Sequence, residues 1–256
     1  MNGYRYKIDN KCVIVYNNEK HISFPLSYFN ERSPELGFNI KSQLGGSSTL
    51  LNATKSTNFS YRIKKSNLTT EQIAKINAID TRSKIKDRIE KIKMLKSELQ
   101  FEKVESLVFE HNLELIDSAL PKIISEMLLL FFSSNFSKVP DLVAEISQKN
   151  PLNYNLENQH PFYSYKIKRF LTDIALGMMP ATVWTGELDA TGGYLVVKED
   201  GEVLCYHIYN RNEFENYLFA NTKLETASSS RHNFGVIEII DGQQIFKLNL
   251  QIRFIS

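Results

Sequence analysis

The spacing of hydrophobic and polar positions divides the chain into a strand-like beginning, a helical middle and a strand-like end. Residues 4–65 carry short apolar runs and alternating segments, which are typical of β-strands. The most regular alternation is "ELGFNIKS" at residues 35–42. It predicts a strand with Leu36, Phe38 and Ile40 on the core-facing side, and with Glu35, Gly37, Asn39 and Lys41 on the opposite side.

The middle of the chain has helical spacing. Thr69 followed by Gln72 is the pattern of a capping box at a helix start. Apolar residues then recur every three or four positions from Ile85 to Leu99, which predicts a long helix whose outer face, residues 82–96, is basic. Further helices are predicted at about residues 103–132, 139–148 and 163–176.

Strand patterns return from Thr182 to the end of the chain. Two Asp-Gly pairs, Asp200–Gly201 and Asp241–Gly242, predict hairpin turns, with a short helix between them at residues 212–220. We therefore predict an α+β fold with a mixed β-sheet core, a central helical region and C-terminal β-hairpins that join or pack near the first strands. The predicted segments are 1–66, 67–181 and 182–256, combined in one composite domain.

Composition changes this picture mainly through charge. The formal net charge is only +2, yet residues 1–96 contain 18 Lys and Arg against 8 Asp and Glu. A region this basic suits a polyanion such as nucleic acid, although a solvated basic surface explains the same charge. The two cysteines, Cys12 and Cys205, form no disulfide framework, and this fits a reducing cytoplasm.

One face of the predicted strand, with Glu35, Asn39 and Lys41, has the residue types of a metal-dependent phosphodiesterase. Hydrolysis of a phosphodiester places extra negative charge on the phosphate, which a divalent ion and an ammonium group stabilise. This face resembles the active-site strand of the PD-(D/E)XK nucleases, in which a lysine follows a metal ligand by two positions. Taken alone, Asn-x-Lys is more often the pattern of a solvent-exposed lysine at a strand end.

Three longer segments make the resemblance more specific. They are "PELGFNIKSQLGGSSTLLNATKSTNFSY" from residue 34, "GGYLVVKEDGEVLCYHIYNRNEFENYLFANTKLETASSSRH" from residue 192, and "KLNLQIRF" from residue 247. Together they resemble the HpaII-type restriction endonucleases, a family of the PD-(D/E)XK superfamily. The resemblance implies a bacterial, cytoplasmic, Mg²⁺-dependent type II endonuclease that cuts double-stranded DNA at CCGG, with a cognate DNA methyltransferase as its genetic partner.

The resemblance also assigns roles to residues. Lys41 is the implied catalytic lysine, Asn39 a catalytic and metal-binding residue, and Glu35 a second candidate for both roles. The family pattern requires an acid on the preceding strand, where this chain has His21, and the stretch before Glu19 is shorter than the pattern leads us to expect. Either Glu19 or Glu35 supplies the carboxylate, or the chain is a shortened or degenerate copy that binds DNA without cutting it. A third alternative, a helical scaffold, predicts no salt-dependent DNA binding.

Two regions carry candidate DNA contacts. The segment after Lys41 is rich in short hydrogen-bonding side chains that suit phosphates and base edges; without the resemblance it is equally a structured surface loop. The last strand alternates core residues with side chains of the types that read the major groove, as any half-exposed strand does. The candidates are Gln43, Ser47, Ser48, Thr49, Asn52, Lys55 and Asn58 in the loop, Arg231 and His232 before the last hairpin, and Lys247, Asn249, Gln251 and Arg253 on the last strand. The helical middle either frames the DNA cleft or mediates formation of a homodimer.

Overall fold

The computed structural model describes residues 5–8, 12–17, 20–25, 38–42, 48–188, 192–198, 200–207 and 210–255. The strands are β1 (Arg5–Ile8), β2 (Cys12–Asn17), β3 (Lys20–Pro25), β4 (Phe38–Ser42), β5 (Thr49–Leu51), β6 (Asn58–Lys64), β7 (Glu98–Val104), β8 (Gly193–Val197), β9 (Val203–His207), β10 (Thr222–Leu224), β11 (Ile237–Ile240), β12 (Gln243–Asn249) and β13 (Ile252–Phe254). The helices are α1 (Thr70–Asn77), α2 (Lys84–Met94), α3 (Leu107–Ile116), α4 (Leu120–Ser133), α5 (Val139–Lys149), α6 (Phe162–Ala175), α7 (Arg211–Ala220) and α8 (Ser229–His232).

Within these ranges the strands form four small sheets. Their orders are β1-β2-β3, β10-β13-β5, β11-β12-β6-β7 and β4-β8-β9. The last of them is mixed, because β4 and β8 are parallel whereas β8 and β9 are antiparallel. The C-terminal strands return to the first ones, since β12 lies beside β6 and β13 beside β5. The predicted α+β class and the return of the end strands are therefore confirmed.

One cluster of buried apolar side chains connects the helices to the sheets and includes residues from Leu50 to Phe254. Helix α4 packs on β7 and β12, and α6 packs on β5 and α7. The buried Tyr61 of β6 donates its hydroxyl to the carbonyl oxygen of Ser125 in α4 at 2.7 Å, which joins the largest sheet to the helical layer. Among the residues described, no helix has both the length and the apolar character needed to cross a membrane.

Local sequence signals appear where they were predicted. The Thr69 hydroxyl accepts a hydrogen bond from the Gln72 backbone nitrogen at 3.2 Å, and the Gln72 side chain accepts one from the Thr69 nitrogen at 2.8 Å. This pair is the predicted capping box. At the β11–β12 turn, Asp241 and Gly242 have φ of 50° and 74°, which is the backbone of a type I′ hairpin.

The predicted long basic helix is wrong beyond Met94. Lys96 has a left-handed φ of 60°, which ends the helix, and the chain then enters β7 beside β6. Leu99 matches the helical spacing because positions four apart share a helix face. In the folded chain it alternates with Gln100 on a strand, so its side chain lies on the same face as that of Phe101.

Three other features also differ from the prediction. Pro121 lies in the first turn of α4, where its missing N–H costs little, and the predicted helix over 103–132 is accordingly divided into α3 and α4. The predicted last strand breaks at residues 250–251, so β12 and β13 belong to different sheets. Ile40 was expected to face the core, but its side chain is 60 % exposed within the described part of the chain.

Candidate active site

Asn39 and Lys41 lie on the side of β4 that faces the helices. Their partners in the parallel strand β8 are Tyr194 and Val196, both fully buried. The Asn39 side chain donates from Nδ2 to the carbonyl oxygen of Ala175, the last residue of α6, at 2.7 Å. This bond fixes the orientation of the amide, and the Oδ1 oxygen has no partner among the described residues. It remains an available hydrogen-bond acceptor or metal ligand.

Lys41 is a half-buried cation without a counter-ion in the described part of the chain. Burial lowers the pKa of its ammonium group below the usual value, because a charged form is disfavoured away from water. No carboxylate in the described ranges forms an ion pair with it. An ammonium group in this state gains stability when an anion such as a phosphate enters beside it.

The two side chains open into a cleft of about 560 Å³. One wall is the start of the loop after β5, with Asn52 and Thr54, and the other is the segment 177–182 that follows α6. Residues 177–182 carry no sequence pattern that predicts a role in the site. Gly177 has φ of 135°, which ends the helix, but the sequence alone does not show that the following residues reach Lys41.

The described donors do not by themselves fit a magnesium ion. Asn39 and Asn52 bring amide oxygens to the cleft, whereas the Thr54 hydroxyl is buried, and no carboxylate of the described residues lines the cleft. Within the described ranges, no three His, Cys, Asp or Glu side chains lie together so that they could hold a metal ion. Mg²⁺ sites in proteins usually include one or two carboxylates. The candidate acids Glu19 and Glu35 lie outside the described residues, and for His21 only its backbone pairing in β3 is described.

The candidate DNA contacts of the loop divide into three groups. Gln43 and Ser47 lie outside the described residues. Asn52 and Lys55 are exposed, next to the cleft, and Ser48 and Thr49 are half-buried. Asn58 is 3 % exposed, so its side chain is enclosed in this structure and does not face the cleft.

Asn58 instead belongs to a buried network with Asn249. The Asn249 amide nitrogen donates to the Asn58 Oδ1 at 2.7 Å, to the Thr54 carbonyl at 2.8 Å and to the Thr57 hydroxyl at 3.1 Å. Asn58 in turn donates to the carbonyl oxygen of His232 at 2.8 Å. The network therefore connects the cleft wall at Thr54 to the segment that carries α8. Asn249 is only 2 % exposed, so its side chain is likewise enclosed in this structure.

The other polar residues of the last strands are mostly engaged in ion pairs. Lys247 contacts Glu238 at 2.8 Å and Glu105 at 3.4 Å. Burial opposes the charged form of Lys247, but these two carboxylates prevail and raise its pKa above the usual value. Arg253 pairs with Glu225 at 2.7 Å, and Gln251 is half-buried between β12 and β13. Lys247, Asn249, Gln251 and Arg253 therefore do not form one continuous exposed face in this structure, and their contact with DNA stays a prediction.

Arg231 and His232 remain accessible on α8. The Arg231 side chain is exposed and makes no ion pair within the described ranges, and His232 is half-buried. Burial, followed by the charge of Arg231, lowers the pKa of the His232 imidazole, so this side chain is largely neutral at pH 7.

A pair of buried carboxylates lies behind the site, where α6 packs on α7. Asp173 is 5 % exposed and Glu215 is 9 % exposed. Glu215 has cationic neighbours, because it contacts Arg211 at 2.8 Å and Arg169 at 3.7 Å. Burial, and then the charge of Glu215, raise the pKa of Asp173 to about 7. The Asp173 carboxyl group is therefore mostly protonated below pH 7. It lies two residues before Ala175, whose carbonyl oxygen accepts the hydrogen bond from Asn39.

Comparison with known proteins gives two matches. A sequence profile of the HpaII restriction endonuclease family matches residues 10–254. The Type II restriction enzyme HpaII of Haemophilus parainfluenzae is 55 % identical over 223 residues, which are 87 % of this chain and 61 % of that enzyme. The chain thus spans about three fifths of the length of this curated relative. No solved structure matches the chain.

Proposed function

Because the chain belongs to the HpaII restriction endonuclease family, we propose that it is a type II restriction endonuclease that cuts double-stranded DNA at a short specific site, CCGG. The observation that carries this proposal is the pair of Asn39 and Lys41 in one cleft, with the half-buried ammonium group of Lys41 lacking a counter-ion among the described residues. A phosphodiester is the anion that this cation would bind in DNA. The 55 % identical relative is a type II restriction enzyme, which supports the same reaction.

In the proposed reaction, a water oxygen attacks the phosphorus atom as one P–O bond of the DNA backbone breaks. Negative charge accumulates on the non-bridging oxygens, and the Lys41 ammonium group stabilises it from a site of reduced solvent exposure. The bond from Asn39 to Ala175 holds the amide so that Oδ1 is presented at a constant position. These two residues supply a positioned cation and a positioned oxygen donor.

We propose that Glu35 adds the carboxylate that the described cleft lacks, and that Glu35 and Asn39 hold Mg²⁺. A bound Mg²⁺ ion would neutralise phosphate charge and lower the pKa of water. The family relation supports this proposal, because restriction endonucleases generally use a divalent metal. Its direct test is Glu35→Gln, which should raise the Mg²⁺ concentration needed for half-maximal cleavage more than Glu19→Gln does.

We further propose a PD-(D/E)XK-like core. The support is the mixed sheet in which the strand of Lys41 runs parallel to β8 across a long helical connection, with β9 antiparallel beside it. The division into segments 1–66, 67–181 and 182–256 stays a proposal. The cluster of buried apolar side chains contains described residues of all three segments, which favours treating them as one composite domain.

The DNA contacts that we propose include the accessible candidates Asn52, Lys55 and Arg231 and the half-buried Thr49 and His232. We also propose Ser48, through its backbone because its hydroxyl is buried, and Gln43 and Ser47, which lie outside the described residues. A homodimer would present one Lys41 to each DNA strand. A cognate DNA methyltransferase and a bacterial cytoplasmic location complete the proposal.

The test is cleavage of a CCGG duplex by wild type, by Lys41→Ala and by a control, Lys75→Ala, whose lysine is exposed on α1. We expect site-specific cutting by wild type and the control, and loss of cutting in Lys41→Ala with the fold retained. Cutting by Lys41→Ala at the wild-type rate would contradict the proposed role of Lys41.

A second function, DNA binding without cleavage, is favoured by the lack of a carboxylate in the described cleft. It predicts tight, site-specific binding by both wild type and Lys41→Ala, with no cutting at any divalent metal concentration. The same experiment therefore separates the two functions.

A further inference from the structure

A second concave surface, which we call the α2 groove, lies at the start of α2. It has a volume of about 480 Å³ and is bordered by residues 82–86, by residues 134–137 after α4, and by the serine-rich segment 226–230. The next residue after that segment is Arg231, on α8. The groove and the Lys41 cleft share no lining residue among those described.

The α2 groove has an excess of positive charge. Arg82 has no ion pair within the described ranges, and the Lys86 ammonium group bonds the neutral Asn135 side chain, at 3.0 Å. Lys84 is paired with Asp80 at 2.9 Å. The other nearby carboxylate of the described residues, Asp87, accepts hydrogen bonds from Ser83 at 3.1 Å and from Thr81. The groove is therefore lined by three cationic side chains, those of Arg82, Lys84 and Lys86, and by no carboxylate of the described residues.

Hydroxyl groups complete the polar lining. Ser228, Ser229 and Ser230 follow one another on the wall opposite α2, and Ser228 accepts a hydrogen bond from the Arg231 nitrogen at 3.5 Å. Arginine, lysine and serine side chains are among the groups that contact DNA phosphates. The apolar side chains of Ile85 and Phe132 line the same groove and reduce its solvation, which strengthens the attraction of an anion.

The α2 groove is held in a constant relation to the Lys41 cleft. Asn58 binds the carbonyl oxygen of His232, which follows Arg231, and Asn249 joins Asn58 to Thr54 in the cleft wall. The Asn58 and Asn249 side chains are buried, so the two surfaces belong to one packed body. A rigid connection of this kind suits two contacts on one extended ligand.

From this arrangement we infer that the α2 groove binds phosphates of the DNA backbone outside the site that is cut at Lys41. The inference rests on the proposed function, because it assigns a further contact to the same DNA. Its specific content is that affinity depends on DNA that flanks the recognition site, and that Arg82 and Lys86 provide this dependence.

The test compares the double variant Arg82→Ala/Lys86→Ala, the groove variant, with the double variant Lys91→Ala/Lys93→Ala, the control. Both double variants remove two positive charges from α2 or its start, but Lys91 and Lys93 lie outside the groove. Binding to a CCGG duplex of about 30 base pairs, three helical turns, is measured without divalent metal over a series of salt concentrations. We expect the groove variant to reduce the salt slope of log K by about 2, because each phosphate that is no longer neutralised lowers the slope by roughly 0.9. The control should reduce the slope by much less.

Duplex length provides a second readout. On a duplex of about 10 base pairs, one helical turn, the groove variant and the control should bind equally well. Cleavage of the long duplex by the groove variant should show a raised KM with an unchanged kcat, because the Lys41 cleft is intact. If the double variant does not fold, Arg82→Gln alone, at an exposed residue, should reduce the slope by about 1.

The outcomes separate the two proposals. If wild type cuts and binds the duplex while the groove variant and the control have the same salt slope, the inference is overturned and the proposed function stands. If wild type binds no DNA at any salt concentration, the proposed function fails and the inference fails with it.

Discussion

Lys41 and Lys247 both occupy the polar side of a strand, yet the folded chain gives them opposite electrostatic surroundings. Around Lys41 no described carboxylate is paired with the ammonium group, and burial lowers its pKa. Around Lys247 two carboxylates, Glu105 and Glu238, outweigh burial and raise the pKa. The first lysine is prepared to receive an anion from outside, whereas the second already has its anions and stabilises the sheet.

The same contrast holds for two asparagines. Asn39 makes a single described side-chain hydrogen bond, to Ala175, and keeps an oxygen available in the cleft. Asn249 donates to three acceptors in the interior. Residue type and strand position therefore do not separate a site residue from a structural one. The separation depends on whether the neighbouring elements enclose the side chain, as they do for Asn249, or leave it open to a cleft, as they do for Asn39.

The largest effect is expected for Lys41→Met. Removal of a preorganised group that stabilises transition-state charge should reduce cleavage by about 10³-fold or more, roughly 4 kcal/mol of transition-state stabilisation. Because the cation is half-buried and has no described counter-ion, the same substitution should raise the melting temperature at pH 7. Single-turnover cleavage and thermal unfolding measure the two effects. A lower melting temperature would show that Lys41 is paired after all.

Asp173→Asn extends the comparison to a carboxylate. With a folded pKa of about 7, against about 3.9 when unfolded, Asp173 holds a proton in the folded state that the unfolded chain loses. Its contribution to the free energy of unfolding therefore falls as pH rises from 4 to 7, by up to about 4 kcal/mol. The variant should be more stable than wild type at pH 8 and should gain nothing at pH 4.

Urea unfolding at several pH values measures this difference, with Glu213→Gln, an exposed acid on α7, as the control. The prediction is that the free energy of unfolding of wild type, relative to that of Asp173→Asn, declines between pH 4 and pH 7. If this difference stays constant, Asp173 is ionised in the folded protein.

Asn249→Leu tests whether the buried network is structural. The substitution leaves the buried Asn58 Oδ1 without its donor, while the Thr54 carbonyl keeps its hydrogen bonds from Thr57, and this should cost about 1–3 kcal/mol of unfolding free energy. Asn52→Ala, at an exposed residue of the cleft wall, should change stability by less than about 0.5 kcal/mol but weaken DNA binding. If Asn249→Leu instead weakened DNA binding without lowering stability, Asn249 would be a DNA contact rather than a structural residue.

The smallest effect is expected for Lys247→Met. Removal of the ammonium group beside Glu238 and Glu105 should cost about 1 kcal/mol of unfolding free energy, because the two carboxylates then repel each other without a cation between them. Lys247→Met/Glu238→Gln should recover part of that free energy. If Lys247→Met lowered DNA affinity without lowering stability, Lys247 would be a DNA-binding residue like Lys41 and not a structural one.

The sequence alone determined the features that depend on near neighbours. The capping box at Thr69 and the Asp241–Gly242 turn require only residues within a few positions, and both occur as predicted. The alternation around Asn39 and Lys41 predicted that the two share a strand face, and they do. The prediction needs only neighbouring residues, because the two-residue period of a strand is a local property. The three longer segments were also sufficient to identify the family, since a profile match reads the residues themselves.

Tertiary structure decided which element lies opposite each face. Ile40 belongs to the more apolar face of β4, but α6 packs near the other face, so Asn39 and Lys41 lie toward the helices. Residues 177–182 reach the cleft only because α6 ends beside β4, more than 130 positions away in sequence. The burial of Asn249 beside β6 and the contact of Lys247 with Glu105, which follows β7, likewise come from parts of the chain that are distant in sequence. Periodicity along the chain specifies a face, whereas the polar or apolar partner of that face is a long-range contact that no local pattern encodes.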